Sequence, residues 1–227
     1  MNDLRAMQDV AVIAPHPDDE VLGCGGTMAR LAAQGSRVYV VTVTRGQPPD
    51  FAPDAVEQVQ AEALDAHRLL GVAESHFLDL PAARLDTVGQ AQVNAALGGL
   101  LDRLAPDTLF LPFTGDIHHD HQIVFMAAMV WARPRHARSP ARILAYETLS
   151  ETNWFAPPAT PPFLPTVFID IADTLQLKLD AFAAYRSQTK IFPDERSPEA
   201  IEALARMRGA TVYRPAAEAF AAVRLVL

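Results

Sequence analysis

Val10-Ala-Val-Ile-Ala-Pro-His-Pro-Asp-Asp-Glu-Val-Leu-Gly-Cys-Gly-Gly26 passes from an apolar run of strand length straight into one histidine and three carboxylates. Pro15 and Pro17 forbid both ladder and helix around His16, so the imidazole is held on a stiff turn. Asp18, Asp19 and Glu20 then fall where a helix begins, and acidic side chains suit the unpaired N–H groups and positive dipole end of a first turn. Capping does not explain a histidine locked between two prolines three residues before Asp19. At that spacing imidazole and carboxylate face one point, which makes a partial metal site.

The missing donor is expected from His118-His-Asp-His121, which follows the apolar strand Thr108-Leu-Phe-Leu111. His118 and His121 are three apart and share one side of a turn or helix start, with His119 and Asp120 pointing elsewhere or standing behind the ligands. Both clusters therefore sit just past a strand, where open α/β sheets place their ligands.

Outward from these stretches the pattern alternates. The first helix is expected to run to about Gln34 and stop at Gly35, with a buried strand from Val38 to Thr44 and a helix from Asp54 to Leu70. A strand near Ser75–Leu78, a helix from about Thr87 to Leu104, the strand Thr108–Leu111 and a helix from Gln122 to Arg133 follow. A strand from Arg142 to Glu147 and helices at about Asp173–Tyr185 and Pro198–Arg208 complete the reading. Strand and helix in turn predict an α/β fold, its mainly parallel sheet covered by helices on both faces. Arg45, at the mouth of the second strand, reads as a donor to substrate hydroxyls or as a surface ion pair. Tyr146 and Glu147 are candidates to line the site. Asn153–Pro165, with five prolines and three large aromatics, reads as a lid over the site or as a homo-oligomer contact.

Composition sets the outer bounds. At 227 residues and 50% apolar content, one domain spanning 1–227 is expected, with a sizeable core. A net charge of −8 argues against nucleic acid or an anionic membrane as partner and favours a neutral or cationic small molecule. There is no apolar run long enough to span a bilayer and no leader pattern at the N-terminus, so a cytoplasmic protein is expected. Cys24 is the only cysteine; a soft ligand or nucleophile is one reading, a small buried residue among helix-start glycines the other. Gly23-Cys-Gly-Gly26 does not meet the G-x-G-x-x-G spacing of dinucleotide sites, and an acidic turn is a poor seat for pyrophosphate.

His-Pro-Asp-Asp-Glu after a first strand, then Gly-Cys-Gly-Gly and a later His-x-Asp-His, resembles the PIG-L/LmbE family of zinc-dependent N-acetylglucosamine deacetylases. Thr44-Arg-Gly46, Leu70-Gly71, Tyr146-Glu147, Arg186-Ser-Gln188 and Ala217-Glu-Ala-Phe220 extend the likeness through most of the chain. The resemblance implies a Rossmann-like three-layer fold and a Zn2+ ion held by His16, Asp19 and His121. It also implies Asp18 as general base, His118 assisting the oxyanion or leaving amine, and a small N-acetylated sugar conjugate as substrate. Two positions depart from the family's pattern: Val59 stands where many members carry an arginine facing substrate, and Tyr185 where a histidine is common.

On that reading, Asp18 takes a proton from water and passes it to the departing amine, while a protonated His118, oriented or made more basic by Asp120, adds charge where the oxyanion develops. Two rivals share the residues. One is a non-haem iron oxygenase using the same His/Asp/His triad; the other is an inactive sugar-binding member of the fold.

Overall fold

The computed structural model describes residues 4, 6–135, 139–154 and 160–226. Five strands run parallel: β1 (Asp9–Ala14), β2 (Arg37–Arg45), β3 (Glu74–Pro81), β4 (Thr108–Pro112) and β5 (Arg142–Tyr146). Among the described residues two more strands close the sheet, β6 (Val167–Asp170) and β7 (Ala217–Leu225), of which β7 runs antiparallel to both of its neighbours β5 and β6, and the order is β3-β2-β1-β4-β5-β7-β6. The helices are α1 (Asp19–Ala33), α2 (Pro53–Leu70), α3 (Gln90–Leu104), α4 (His119–Trp131), α5 (Leu175–Ala184) and α6 (Pro198–Thr211).

β1 is apolar throughout its buried length because both of its faces are covered. Val10 and Val12 join the core under α1, α2, α5 and α6, whereas Ala11 and Ile13 join the core under α3 and α4. The chain winds outward from β1 through β2 to β3, then returns to lay β4 on the other side of β1. The carboxyl ends of β1 and β4 thus lie side by side where the winding reverses, and their following loops leave a crevice between them.

Three elements differ from expectation. α3 starts at Gln90, after a 3-10 turn at Leu85–Thr87 and an extended Gly89. α4 starts at His119 rather than Gln122, because the His118 side chain accepts from Asp120 N and caps the helix. β6 and β7 were not expected as strands: Ala217-Glu-Ala-Phe-Ala-Ala222 is rich in alanine, which strands disfavour, and only pairing against β5 makes it extended.

β7 also anchors α1. Glu218 is buried, pairs with Lys178 Nζ at 2.6 Å, and accepts from the backbone N–H groups of Gly26 (3.0 Å) and Thr27 (2.7 Å). Lys178 Nζ also donates to Leu22 O at 2.8 Å. The α1 glycines permit this approach. A Cβ at Gly23 would lie 2.2 Å from the ring of Tyr146, whose hydroxyl donates to Ile13 O, and one at Gly26 would lie 2.8 Å from Ile171. Such an ion pair contributes mainly to the orientation of α1, since desolvation offsets most of its attraction.

Ala favours a helix over Gly by about 1 kcal/mol, but at Gly23 the overlap with Tyr146 costs about 1–3 kcal/mol or more. Gly23→Ala is therefore expected to lower the melting temperature. Gly99→Ala, on an exposed stretch of α3 with nothing near the added methyl, is expected to raise it by about 2–4 °C. Calorimetry of both variants checks the pair.

Candidate metal centre

The turn after β1 is tied by its own side chains. His16 N donates to Asp19 Oδ2 at 2.8 Å, and Asp18 N donates to Glu20 Oε2 at 3.1 Å. These bonds hold Asp18 at φ 99°, a conformation that L-residues rarely adopt and that costs about 1–3 kcal/mol. Glu20 is itself held by Tyr185 Oη (2.6 Å) and lies 3.3 Å from His67 Nε2, which gives the tyrosine a structural place and leaves His67 in the core beneath the turn.

His16, Asp19 and His121 converge, each offering one ligand atom to a common point. His16 Nδ1 stands 3.4 Å and His121 Nε2 3.3 Å from Asp19 Oδ2. Tetrahedral coordination with bonds of about 2.0–2.1 Å has edges of about 3.3–3.4 Å, so the spacing suits a small divalent ion. Asp19 Oδ1 and His121 Nε2 are buried without a hydrogen-bond partner, which is costly unless something else satisfies them. His16, His118 and Asp120 also cluster. There, however, Asp120 is already consumed by Ala83 N (2.7 Å), Leu85 N (3.1 Å) and His16 Nε2 (3.0 Å), so the first group fits a metal and the second is a hydrogen-bonded support.

Each metal-facing imidazole has a carboxylate behind it. Asp120 holds His16 through Nε2, and Asp116 holds His121 through Nδ1 at 2.8 Å, leaving the opposite nitrogen of each ring toward the common point. The carboxylate of Asp120 thus goes to His16 and not to His118, because the first turn of α4 points it across the crevice toward β1. The sequence reading did not single out Asp116. It lies five residues before His121 in an irregular turn, and only Thr152 Oγ1, donating to Asp116 Oδ1 at 2.5 Å, and the fold around it bring it to the ring.

The electrostatics follow from burial. For His16 and His121, burial works against the charged form, but the carboxylates around them outweigh it: Asp120 and Asp19 carry His16 up to about 9, and Asp19 and Asp116 carry His121 up to about 10. Burial lifts Asp18 to about 8, with Arg196 opposing and Asp19 and Glu20 adding to the rise. Burial and the neighbouring imidazoles push His118 down to about 4, so it is neutral at pH 7, in place of the expected cation. Its Nδ1 accepts from Asp120 N at 3.1 Å, which puts the ring proton on Nε2. Cys24 is buried in the core and its thiol is raised by burial, as a structural residue requires.

Asp18 and His118 face a cavity of about 330 Å³ at the carboxyl end of the sheet, with His16 at its floor. Arg196 enters from the loop before α6; its Nη1 is 3.2 Å from Asp18 Oδ2 and 3.1 Å from Gln188 Oε1. Arg45 lines the same cavity and also pairs with Asp79 at 3.4 Å. Glu147 does not line it. Its carboxylate is bound by Arg208 of α6 through two bonds of 2.8 and 2.6 Å, which engage both oxygens beside the helix and away from the cavity. The expected lid falls partly outside the described residues, at 155–159. Its described remainder does not line the cavity: Phe163 meets Phe113 edge to face and lies under the Arg208 guanidinium.

Comparison with known proteins agrees with this arrangement. The deacetylase YaiS of Escherichia coli (strain K12), itself uncharacterized, is 29% identical over 187 residues, 78% of this chain and 90% of its own. The 1D-myo-inositol 2-acetamido-2-deoxy-alpha-D-glucopyranoside deacetylase of Actinosynnema mirum is 28% identical over 240 residues, 84% of either chain. A conserved protein of Thermus thermophilus, known from its crystal structure, superposes with a TM-score of 0.78 at 31% identity and covers 97% of both chains. The family model described as PIG-L, GlcNAc-PI de-N-acetylase, matches residues 11–132, from inside β1 to the end of α4. Because that stretch exceeds half the sequence and carries both His/Asp clusters, the chain belongs to the PIG-L family of metal-dependent de-N-acetylases.

Proposed function

We propose that this chain, acting as one cytoplasmic domain, is a zinc hydrolase that removes the acetyl group from an N-acetylated amino sugar or its conjugate and releases acetate. The observation that carries the metal part is the convergence of His16, Asp19 and His121, with Asp19 Oδ2 3.3–3.4 Å from the two ring nitrogens and His121 Nε2 buried without a hydrogen-bond partner. Two imidazoles and a carboxylate, with room for water or substrate, are the donor set of catalytic zinc. The sugar class rests on family membership and on the Actinosynnema relative's acetamido-sugar substrate. Among the described residues no helix is long and apolar enough to cross a membrane.

An acetamide resists attack because its nitrogen donates into the carbonyl. When bound, zinc polarises the carbonyl oxygen and lowers the pKa of water from about 15.7 toward about 7. Asp18 stands at the cavity wall with a proton affinity near neutral, suited to taking the water's proton and handing it to the departing amine. The Arg196 guanidinium beside it limits the rise and keeps the carboxylate form accessible. His118, neutral and protonated on Nε2, donates a hydrogen bond toward the oxyanion and needs no positive charge of its own.

Acetate release from a panel of N-acetylated sugars, lost on chelation and restored by zinc, tests the reading; oxygen consumption in place of acetate would sink it. Asp18→Asn is expected to lower turnover by about 10²–10⁴-fold with zinc content intact, and His118→Ala to keep its zinc while slowing hydrolysis. Asp19→Asn should lose the metal, and Asp116→Asn should weaken its binding by about 10–100-fold. Metal analysis and acetate assay on the same preparations separate these outcomes.

Metal affinity should also depend on pH. His16 and His121 have proton affinities raised to about 9 and about 10, so both rings are protonated at pH 7 in the metal-free centre and must lose those protons to bind. Zinc affinity is therefore expected to rise from pH 6 to pH 9, with about two protons released per ion near neutrality. Calorimetry in buffers of different ionisation enthalpy measures that release; none released would contradict the assignment of the two rings.

A further inference from the structure

The polar half of the cavity is accounted for by the hydrolysis just described. The other half is not: away from His16 and Asp18 it is walled by Phe51, Ala55, Val56, Val59 and Phe77. Ala55, Val56 and Val59 sit within about 6 Å along α2 and neighbour one another at i, i+3 and i, i+4, with Gln58 and Gln60 lining the cavity beside them. Phe51 is fixed over the end of β2, where Gly46 makes room: a Cβ there would come within 2.7 Å of Phe51 and 2.9 Å of Val56. Phe77 is braced from behind by the ring of His67, stacked with centroids 6.5 Å apart. The wall is therefore preformed, with Val56 buried at its base and Phe51, Val59 and Phe77 partly open, and such side chains in a preformed pocket favour an apolar occupant.

The charges around the cavity point the same way. Its two guanidiniums are engaged, Arg45 by Asp79 and Arg196 by Asp18, Gln188 and Ser150 Oγ. Glu151 and Asp18 also line it. An anionic substituent would meet carboxylates and paired cations. A sugar ring alone, with one apolar C–H face, would cover one phenyl ring and leave the α2 patch in water.

We infer that the wall of Phe51, Val56, Val59 and Phe77 is a subsite for an uncharged apolar aglycone, of about the size of a phenyl or short alkyl group, on the N-acetylated amino sugar. The inference rests on the deacetylase reading for the position of the acetamide. The cavity's 330 Å³, shared between the sugar and its aglycone, lies near the lower end of the range for small-molecule pockets, which favours a small group on this wall.

The test uses the zinc-loaded protein with N-acetylglucosamine, its phenyl β-glycoside and its 1-phosphate, reading kcat/KM for acetate release. Calorimetry in parallel gives the affinities of glucosamine and phenyl β-glucosaminide. Burying a phenyl group should raise kcat/KM over the free sugar by about 10–100-fold, with the phosphate the poorest substrate. Val59→Arg and the exposed-site change Phe51→Ala should each erase most of that preference, and Val59→Arg should improve the phosphate relative to the phenyl glycoside. Acetate released from all three at rates within about threefold would overturn the subsite and leave the deacetylase reading standing. No acetate from any, with phenyl glucosaminide still bound at least about tenfold more tightly than glucosamine and Val59→Arg abolishing the difference, would support the subsite and end the deacetylase reading. Equal affinity for both amines would overturn it whatever the activity.

Discussion

β1 and β4 are hydrogen-bonded neighbours although nearly a hundred residues separate them, and everything chemical in this protein depends on that pairing. Parallel strands send their following loops to the same edge of the sheet, and at the reversal of winding no helix crosses over that edge. The loop after β1 and the start of α1 bring His16, Asp18 and Asp19, and the loop after β4 and the start of α4 bring Asp116, His118, Asp120 and His121. Neither loop alone holds the full donor set. The sheet supplies proximity, and the buried ion pair of Lys178 with Glu218 holds α1, and with it Asp19, against β7.

The second governing constraint is charge. Asp19, Asp116 and Asp120 are all buried within 3.4 Å of the His16 or His121 ring, and Asp18 is buried next to them against Arg196. So many carboxylates cannot be desolvated together without compensating positive charge, and protons on His16 and His121 or a divalent cation are the two ways to supply it. That imbalance explains why the two rings bind protons so strongly in the metal-free centre, and the carboxylate behind each ring is placed to keep the remaining proton on the far nitrogen once the near one is given up to a metal. His118, without a carboxylate of its own and crowded by the other rings, goes the other way and stays neutral.

Much of the fold was legible because both faces of the sheet are covered. β1, β2, β4 and β5 carry mainly apolar runs of strand length, and the helices between the strands carry apolar residues at helical spacing, so alternation could be read directly. β6 and β7 were not legible. An alanine-rich segment has no period of its own, and it is extended only because β5 offers an edge for it to pair with. Glu147 illustrates the same limit at the site: sequence adjacency to Tyr146 put it near the crevice, but Arg208, 61 residues on in α6, binds its carboxylate away from the cavity.

The candidate site residues were legible for a local reason. A histidine between prolines followed by acidic residues, and histidines three apart, are short-range patterns that mark out His16, Asp18, Asp19, His118 and His121, while the division of these into metal ligands, base and helper is what the family resemblance implies. What supports and shapes them is long-range. Asp116, Arg196, the binding of Asp120 to His16, and the apolar wall of Phe51, Val59 and Phe77 exist only when loops far apart in the chain are packed together. Side-chain type and local spacing are written in the sequence. Which carboxylate faces which imidazole, and what surface the substrate meets, depend on distances that only the assembled sheet defines.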